Sequence, residues 1–260
     1  MRFAIVLLRR TCLVGLAAFL CAAFSSSVTR GQEFRVETDV FVDPEKEPVV
    51  ETLTIFSNGI VYDFLLSGVE EITFFDREKK RLVLMDTKRE VKTELTTDSI
   101  LSFIAQMKAH MVDSRPQFLV GKAAQVHDGD DGWLELSNDR VTYRVKGVSP
   151  KEDDAARQFQ QFADWYARLN AMRHNLPPFF RIHLNSVLAS KGLIPKTIER
   201  TIVSKRGLTE TKQTLRSRHL TNWRLSVTDR RMIDRAATNL ATYRTISFRD
   251  YVQLPAVAAK

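Results

Sequence analysis

The chain has 260 residues, of which 44% are hydrophobic and 27% are charged. This length allows one domain with a substantial core, and the ordinary composition excludes collagen-like, low-complexity and disordered proteins. The net charge of +8 is unevenly distributed, because residues 33–150 contain 15 Lys and Arg against 22 Asp and Glu, whereas residues 151–260 contain 20 against 9. Such halves either complement each other within one fold or leave a basic surface that suits an anionic partner.

Residues 1–32 have the layout of a secretory signal peptide. Three arginines precede an apolar run over residues 13–24, and three serines follow it. The run is too short for a comfortable transmembrane span. We therefore expect an exported protein, periplasmic or secreted, while twin-arginine export through Arg9-Arg10, lipidation at Cys21 and retention as an uncleaved anchor stay open.

Both cysteines, Cys12 and Cys21, lie inside this segment, so the mature chain would contain none. A cysteine-free mature chain excludes a disulfide framework, cysteine-ligated metals and cysteine-protease chemistry. The core alone has to hold the exported protein together.

Alternating residues predict β-strands throughout residues 34–96. FRVETDVFV alternates in the way that is typical of a strand with one buried face. Asn58-Gly59 predicts a hairpin turn between TLTIF and IVYDFLL, since a type I′ turn requires positive φ at both central positions. EITFFD, RLVLMD and VKTEL continue the pattern, which predicts an antiparallel meander, and residues 117–145 are predicted to return to strands.

The apolar period changes from two to 3.6 at Thr97, the predicted N-cap of a first helix. A second helix is predicted after Pro150 and a third after Pro177-Pro178, with Gly192 following its end. The predicted apolar faces of the three helices are Ile100, Leu101, Ile104, Met107 and Met111; Ala155, Phe159, Phe162, Tyr166, Leu169 and Met172; and Phe180, Leu184, Val187 and Leu188. Each face requires an apolar partner, which the meander can provide.

Further elements are predicted near the C-terminus. Residues 198–203 and 208–219 are expected to form a long hairpin. Ser226 begins a capping-box spacing for a final helix whose core face includes Ala237. Residues 246–252 are predicted to form a last strand.

Together the elements predict an α+β fold in which a curved antiparallel β-meander, half-barrel-like, packs against several α-helices. We expect a single domain over residues 33–253. It would consist of an acidic strand-rich half, 33–150, and a basic helix-rich half, 151–253, with a flexible tail at 254–260.

No residue pattern indicates a catalytic or metal site. The five histidines have none of the spacings typical of zinc ligands. The acidic loop His127–Gly132 lacks EF-hand spacing and is interpreted as a hairpin turn. Because GxSxG, P-loop and GxGxxG motifs are also missing from the sequence, a non-enzymatic protein without cofactor or metal is predicted. A carboxylate pair assembled from distant strands would keep a secreted hydrolase as an alternative.

Bulky apolar residues occupy both faces of the predicted meander. They are explained either by burial on two sides or by an apolar face that takes up a lipid or acyl chain. The candidate ligand-binding residues are Tyr62, Phe64, Phe74 and Leu84. The alternative partner is an anionic envelope surface, contacted by Arg216, Arg218, Arg224, Arg230 and Arg231. Nucleic acid is not expected, because the arginines are not interleaved with exposed aromatic residues, and the oligomeric state stays open.

The order of these elements resembles a known family. The chain has a signal peptide, a meander, a helix, further strands and a late hairpin with a helix. The hairpin is IPKTIERTIVSKRGLTETKQTLRSRHL. Over residues 34–250 this order is similar to that of the bacterial periplasmic lipoprotein-carrier (LolA/LolB-like) superfamily. The resemblance implies a half-open antiparallel barrel with helices as a lid over an apolar cavity for a lipid, lipoprotein or other amphipathic ligand. The helical segment near residues 152–191 and the Arg-rich C-terminal half depart from this family, so no functional residue is carried over.

Overall fold

The computed structural model describes residues 33–68, 70–113, 125–138, 140–152, 154–174, 176–206 and 209–253. These residues belong to one compact unit that spans Gly31–Lys260. The predicted signal peptide and the predicted C-terminal tail lie outside the described residues.

Strands and helices alternate in groups along the chain. The strands are β1 (Phe34–Val42), β2 (Val50–Ser57), β3 (Ile60–Leu65), β4 (Glu71–Asp76), β5 (Arg81–Asp86), β6 (Val91–Thr96), β7 (Gln125–Asp128), β8 (Trp133–Ser137), β9 (Val141–Val148), β10 (Ile194–Arg206), β11 (Thr209–Asn222) and β12 (Arg244–Thr245). The helices are α1 (Thr97–Asp113), α2 (Ala155–His174), α3 (Phe179–Ser190), α4 (Val227–Thr242) and α5 (Phe248–Gln253), with a 3-10 turn at Asp130–Gly132.

One sheet joins all twelve strands of the described part of the chain. Their order is β12-β6-β5-β4-β3-β2-β1-β11-β10-β9-β8-β7. β12 pairs with β6 in parallel, and the other described pairs are antiparallel. The predicted α+β fold, a curved and mostly antiparallel sheet with packed helices, is confirmed.

Local residue choices set the turns and caps of the meander. Asn58 and Gly59 have φ values of 52° and 77°, as the predicted type I′ turn between β2 and β3 requires. The first helix is capped one residue earlier than predicted: the backbone N of Ser99 donates to Oγ1 of Thr96 at 3.1 Å, and Thr97 is already helical.

We call the sheet face covered by α1, α2 and α3 the inner face. A cross-strand row runs along it through Phe34, Phe56, Val61, Phe75, Leu82 and Leu95. This row packs in one apolar cluster with Ile100 and Ile104 of α1 and with Phe162 and Leu169 of α2. A second cluster on the same face combines β8, β9 and β10 with Phe180, Leu184 and Leu188 of α3. Full burial of each large apolar side chain stabilises the fold by about 2 kcal/mol.

The opposite, outer face is covered in part by α4. Ile55, Tyr62, Phe74 and Val83 form a cross-strand row there. They pack with Ala236 and with the partly buried Met232, Ile233 and Leu240 of α4. The meander is therefore apolar on both faces because helices cover both of them.

The structure corrects the sequence interpretation near the C-terminus. Residues 246–252, predicted as a strand, lie mostly in the helix α5. Ser247 explains the difference, because its Oγ accepts a hydrogen bond from the backbone N of Asp250 at 3.1 Å and so caps that helix. In α4 the buried alanine is Ala236, whereas the predicted core residue Ala237 is exposed. Among the described helices, none combines the length and apolar character needed to cross a membrane.

Candidate functional site

The four predicted ligand-binding residues lie on two different faces. Tyr62, Phe64 and Phe74 belong to the outer-face cluster beneath α4, where the rings of Tyr62 and Phe74 meet edge to face at 5.4 Å. Leu84 belongs to the inner-face cluster and is fully buried. The structure brings the three aromatic residues together and separates Leu84 from them, and their role in ligand binding stays a prediction.

Two of the predicted surface arginines stack on one aromatic ring. The guanidinium carbons of Arg216 and Arg218 lie 5.2 and 4.5 Å from the ring centroid of Phe41 on the outer face. Arg218 is also 3.8 Å from a carboxylate oxygen of Asp39. Phe41 is 1% exposed, so the two guanidinium groups act as its cover.

The other three predicted arginines cluster around the start of α4. Arg230 donates to Oε2 of Glu33 at 2.9 Å. Arg224 and Arg231 are exposed, one before and one within the first turns of α4. An interaction of these residues with an anionic surface stays a prediction.

The two apolar clusters of the inner face are separated by a more polar stretch, which we call the central seam. The seam consists of the half-buried residues Thr38 and Val40 of β1 and Leu215, Ser217 and His219 of β11. Because β1 and β11 are neighbours in the middle of the sheet, the seam lies between the two apolar clusters, and α2 reaches across it to β10.

His219 occupies the seam as a neutral imidazole. Its Nδ1 lies 3.0 Å from Oγ1 of Thr38, and its Nε2 lies 3.0 Å from Oγ of Ser217. The ring of Phe159 meets the imidazole edge to face at 6.4 Å. Burial, reinforced by the positive charge of Arg181, lowers the pKa of His219 to about 3. The imidazole therefore adds no positive charge at neutral pH.

An arginine of the sheet and an arginine of α3 lie beside the seam. Arg200 of β10 is in register with Leu215 and Tyr143, which places it on the inner face. Arg181 donates through Nε to Oδ1 of Asn185 at 3.0 Å. Burial lowers the pKa of Arg181, and the charge of Arg200 lowers it further.

A single carboxylate of α2 faces these arginines. Asp164 accepts a hydrogen bond from Nδ2 of Asn185 at 2.8 Å, so that Asn185 connects it to Arg181. Burial raises the pKa of Asp164, although Asn185 and the charges of Arg168 and Arg181 partly offset this. The relay ties α2 to α3 and compensates one of the nearby positive charges.

Two carboxylates lie under α2 at the other side of the inner face. Asp63 accepts a hydrogen bond from Oγ1 of Thr54 at 2.6 Å and another from the Tyr166 hydroxyl. Burial raises the pKa of Asp63 to about 6 despite these bonds. Glu71 accepts from Arg173 and, at 2.9 Å, from the Tyr251 hydroxyl. Both carboxylates are thus occupied by protein donors, as in a structural polar network.

A shallow cleft opens at the β3–β4 end of the sheet. Its volume is about 90 Å³, and its lining includes Leu65, Leu66, Glu71, Met232 and Arg235. Pockets for drug-sized ligands have volumes of about 300–1,000 Å³, so this cleft suits a small group only. Within the ranges that the structure describes, no three His, Cys, Asp or Glu side chains are grouped so that they could hold a metal ion.

No protein-family model matches this sequence, and no curated protein matches it.

Sequence reasoning missed the arginines beside the seam. The signal that could have revealed Arg200 is its position in the strand, because Ile198, Arg200 and Ile202 alternate with the polar residues Glu199 and Thr201. Arg181 carries no comparable signal, since a charged residue in the first turn of a helix usually faces water.

Proposed function

We propose that the protein is an exported, non-enzymatic binding protein that takes an amphipathic ligand, such as a lipid or the acyl chain of a lipoprotein, on the inner face of its sheet. The observation that carries the proposal is the central seam. In the seam the apolar side chains of Val40 and Leu215 stay partly exposed between the two apolar clusters.

Apolar and polar groups follow each other along this stretch. Val42, Leu215, Arg200 and Tyr143 form one cross-strand row, in which Val42 and Leu215 are half-buried. The next row contains Val40 and Ser217. A ligand with an apolar chain and a polar end suits such a row, because burial of each methylene group contributes about 0.8 kcal/mol to the free energy of binding.

The test is direct binding of parinaric acid, a naturally fluorescent fatty acid, to the purified mature protein. We expect saturable binding and co-purified lipid. Leu215→Gln should weaken binding about tenfold, because it removes an apolar side chain from the seam. The matched control is Leu220→Gln on the same strand, because Leu220 is 66% exposed and alternates onto the outer face. Equal effects of the two variants, or non-saturable binding to the wild type, would refute the proposal.

A second candidate function is docking to an anionic envelope surface, and the start of α4 favours it. Val227 is 68% exposed, and Arg224 and Arg231 are also exposed. Exposed apolar residues flanked by arginines suit a layer of anionic lipid headgroups. Arg35 of β1 connects the start of α4 to β11. Arg35 pairs with Asn222 of β11 in the sheet, and its guanidinium donates to Asp229 of α4 at 2.9 Å.

Docking is tested with vesicles that contain phosphatidylglycerol. Binding should collapse between low and physiological salt, because the attraction is screened beyond about 8 Å. The double substitution Arg224→Gln and Arg231→Gln should abolish it. The control is Arg144→Gln, since Arg144 is already engaged by Glu199 at 3.2 Å and by the ring of Trp133. Salt-insensitive binding would exclude this mode of docking.

A further inference from the structure

Positive charge exceeds negative charge on the inner face where α2 and α3 cover β10. The groups whose charges act on Asp164 are Arg168 and Arg181. Arg181 in turn is affected by Arg200, Tyr143 and Asp164. Asp164 therefore interacts with the guanidinium groups of Arg168 and Arg181, and Arg200 adds a further positive charge next to Arg181. Buried charges of one sign are costly unless a counter-charge compensates them.

Arg200 has an unused hydrogen-bond donor. Its Nε is buried and has no hydrogen-bond partner among the described residues. Nε and one terminal nitrogen of a guanidinium form the edge that binds a carboxylate or a phosphate through two parallel hydrogen bonds. The unused Nε thus belongs to a group whose geometry is suited to an oxyanion.

The surroundings of Arg200 are apolar along the sheet. Its cross-strand neighbours on the same face are Leu215 and Tyr143, and Val42 follows Leu215 in the row. Asn185 is neutral and its amide is already bonded to Arg181 and Asp164, so it supplies no counter-charge to Arg200. An incoming anion is the chemistry that would neutralise Arg200 without disturbing this relay.

We propose that Arg200, assisted by Arg181, binds the anionic group of an amphipathic ligand, a carboxylate or a phosphate, while the apolar part of the ligand lies along Val40, Val42 and Leu215. The inference rests on the proposed function and adds to it the chemistry of the ligand's polar end. It assigns Arg200 as the residue that selects acids over neutral amphiphiles.

The experiment compares three amphiphiles with the same chain, namely laurate, monolauryl phosphate and lauryl alcohol, as competitors of parinaric acid. Laurate and monolauryl phosphate should displace the probe at concentrations about tenfold lower than lauryl alcohol does. Inorganic phosphate is tested separately by thermal unfolding, and a rise in Tm would show that the anion alone is bound.

Arg200→Gln should remove the preference for acids and leave the affinity for lauryl alcohol unchanged. It should also raise the Tm of the ligand-free protein, because it removes a buried donor, Nε, that has no hydrogen-bond partner among the described residues. A merely structural arginine predicts the opposite change in Tm. The matched control is Arg218→Gln on the outer face, which should keep the preference.

The outcomes separate the two proposals. If lauryl alcohol competes as well as laurate in the wild type, the anion site is wrong while the proposed function stands. If none of the amphiphiles binds, the proposed function is wrong, and inorganic phosphate then tests the anion site alone. A rise in Tm with phosphate that Arg200→Gln abolishes supports the anion site. An unchanged Tm overturns the anion site.

Discussion

Burial shifts the pKa values of two titratable side chains of the inner face in opposite directions. The carboxyl of Asp63 resists ionisation, and its pKa rises to about 6. The imidazole of His219 resists protonation, and its pKa falls to about 3. In both cases the low-polarity surroundings disfavour the charged form. The stability of the protein should therefore depend on pH in two ways that substitution can separate.

The first prediction concerns Asp63→Asn. Between about pH 4 and pH 6 the folded protein retains a proton on Asp63 that the unfolded chain has already lost, so stability falls as the pH rises through this window. The loss is about 3 kcal/mol and is complete above pH 6. Urea unfolding at pH 4 and pH 7 should show that Asp63→Asn gains about 2 kcal/mol relative to wild type on going to pH 7, because part of the loss has already occurred at pH 4. Asp234→Asn makes the same change at an exposed position and serves as the control, and a pH-independent difference for Asp63→Asn would contradict the argument.

The second prediction concerns His219→Gln and has the opposite sign. Below about pH 6.5 His219 is protonated in the unfolded chain but stays neutral in the folded protein, so the wild type loses stability as the pH falls towards 3. Glutamine can still face Thr38 and Ser217 but does not titrate. Between pH 7 and pH 4 the wild type should lose about 3 kcal/mol more than His219→Gln. The exposed His183→Gln is the control, and parallel acid profiles for wild type and His219→Gln would rule out an imidazole that stays neutral in the folded protein.

At the scale of elements, patterns of nearby residues were sufficient to predict the strands of the meander and insufficient to predict that β11 pairs with β1. Alternation and the Asn58-Gly59 turn specify hairpins through contacts a few residues apart. The pairing of β1 with β11 joins Val36 to Thr221, and no local signal identifies a partner so distant in sequence. The final helix α5 was missed because the alternating Ile246 and Phe248 outweighed the cap at Ser247.

The polar residues of the inner face escaped prediction for a related reason. Asp63 lies in the apolar strand IVYDFLL and shares a face with Val61, but a single acid in a strand is most simply interpreted as solvent-facing. Its burial depends on Tyr166 of α2, more than a hundred residues away. Only the assembled sheet and helices show that Asp63, Arg200 and His219 point to the same covered face.

The third prediction concerns how closely α4 packs on the outer face. Ala236 is fully buried in the cluster that contains Tyr62 and Phe74. Ala236→Leu should cost about 1–3 kcal/mol, because the larger side chain has to displace packed rings. Ala237→Leu makes the same change at an exposed position of the same helix and should stay within about 0.5 kcal/mol of wild type. Urea unfolding measures both, and equal losses would mean that α4 does not lie against the sheet as described.

For the whole molecule, one carboxylate connects three parts of the chain. Glu71 of β4 accepts hydrogen bonds from Arg173 near the end of α2 and from the hydroxyl of Tyr251 in α5. Arg89 reinforces the attachment of α5, since it donates to the backbone oxygen of Tyr251 at 3.2 Å and lies over its ring. Glu71 thus couples the last helix of the described chain to a central helix through the sheet.

The last prediction follows from this coupling. Glu71→Gln should cost about 2–4 kcal/mol, because it leaves the half-buried guanidinium of Arg173 without a counter-charge. Tyr251→Phe removes one hydrogen bond and should cost about 1 kcal/mol. The double substitution should cost less than the sum of the two, since both changes break the same network. Glu94→Gln is the matched control, because its 2.8 Å ion pair with Arg81 is more exposed and contributes less than about 1 kcal/mol.

Hydrogen exchange distinguishes coupling from simple destabilisation. If Glu71 attaches α5 to the rest of the fold, the amides of α5 should lose protection in Glu71→Gln by more than those of the meander strands, because α5 can then open without global unfolding. A uniform loss across the sheet and α5 would show instead that Glu71 stabilises the protein only as part of its common core.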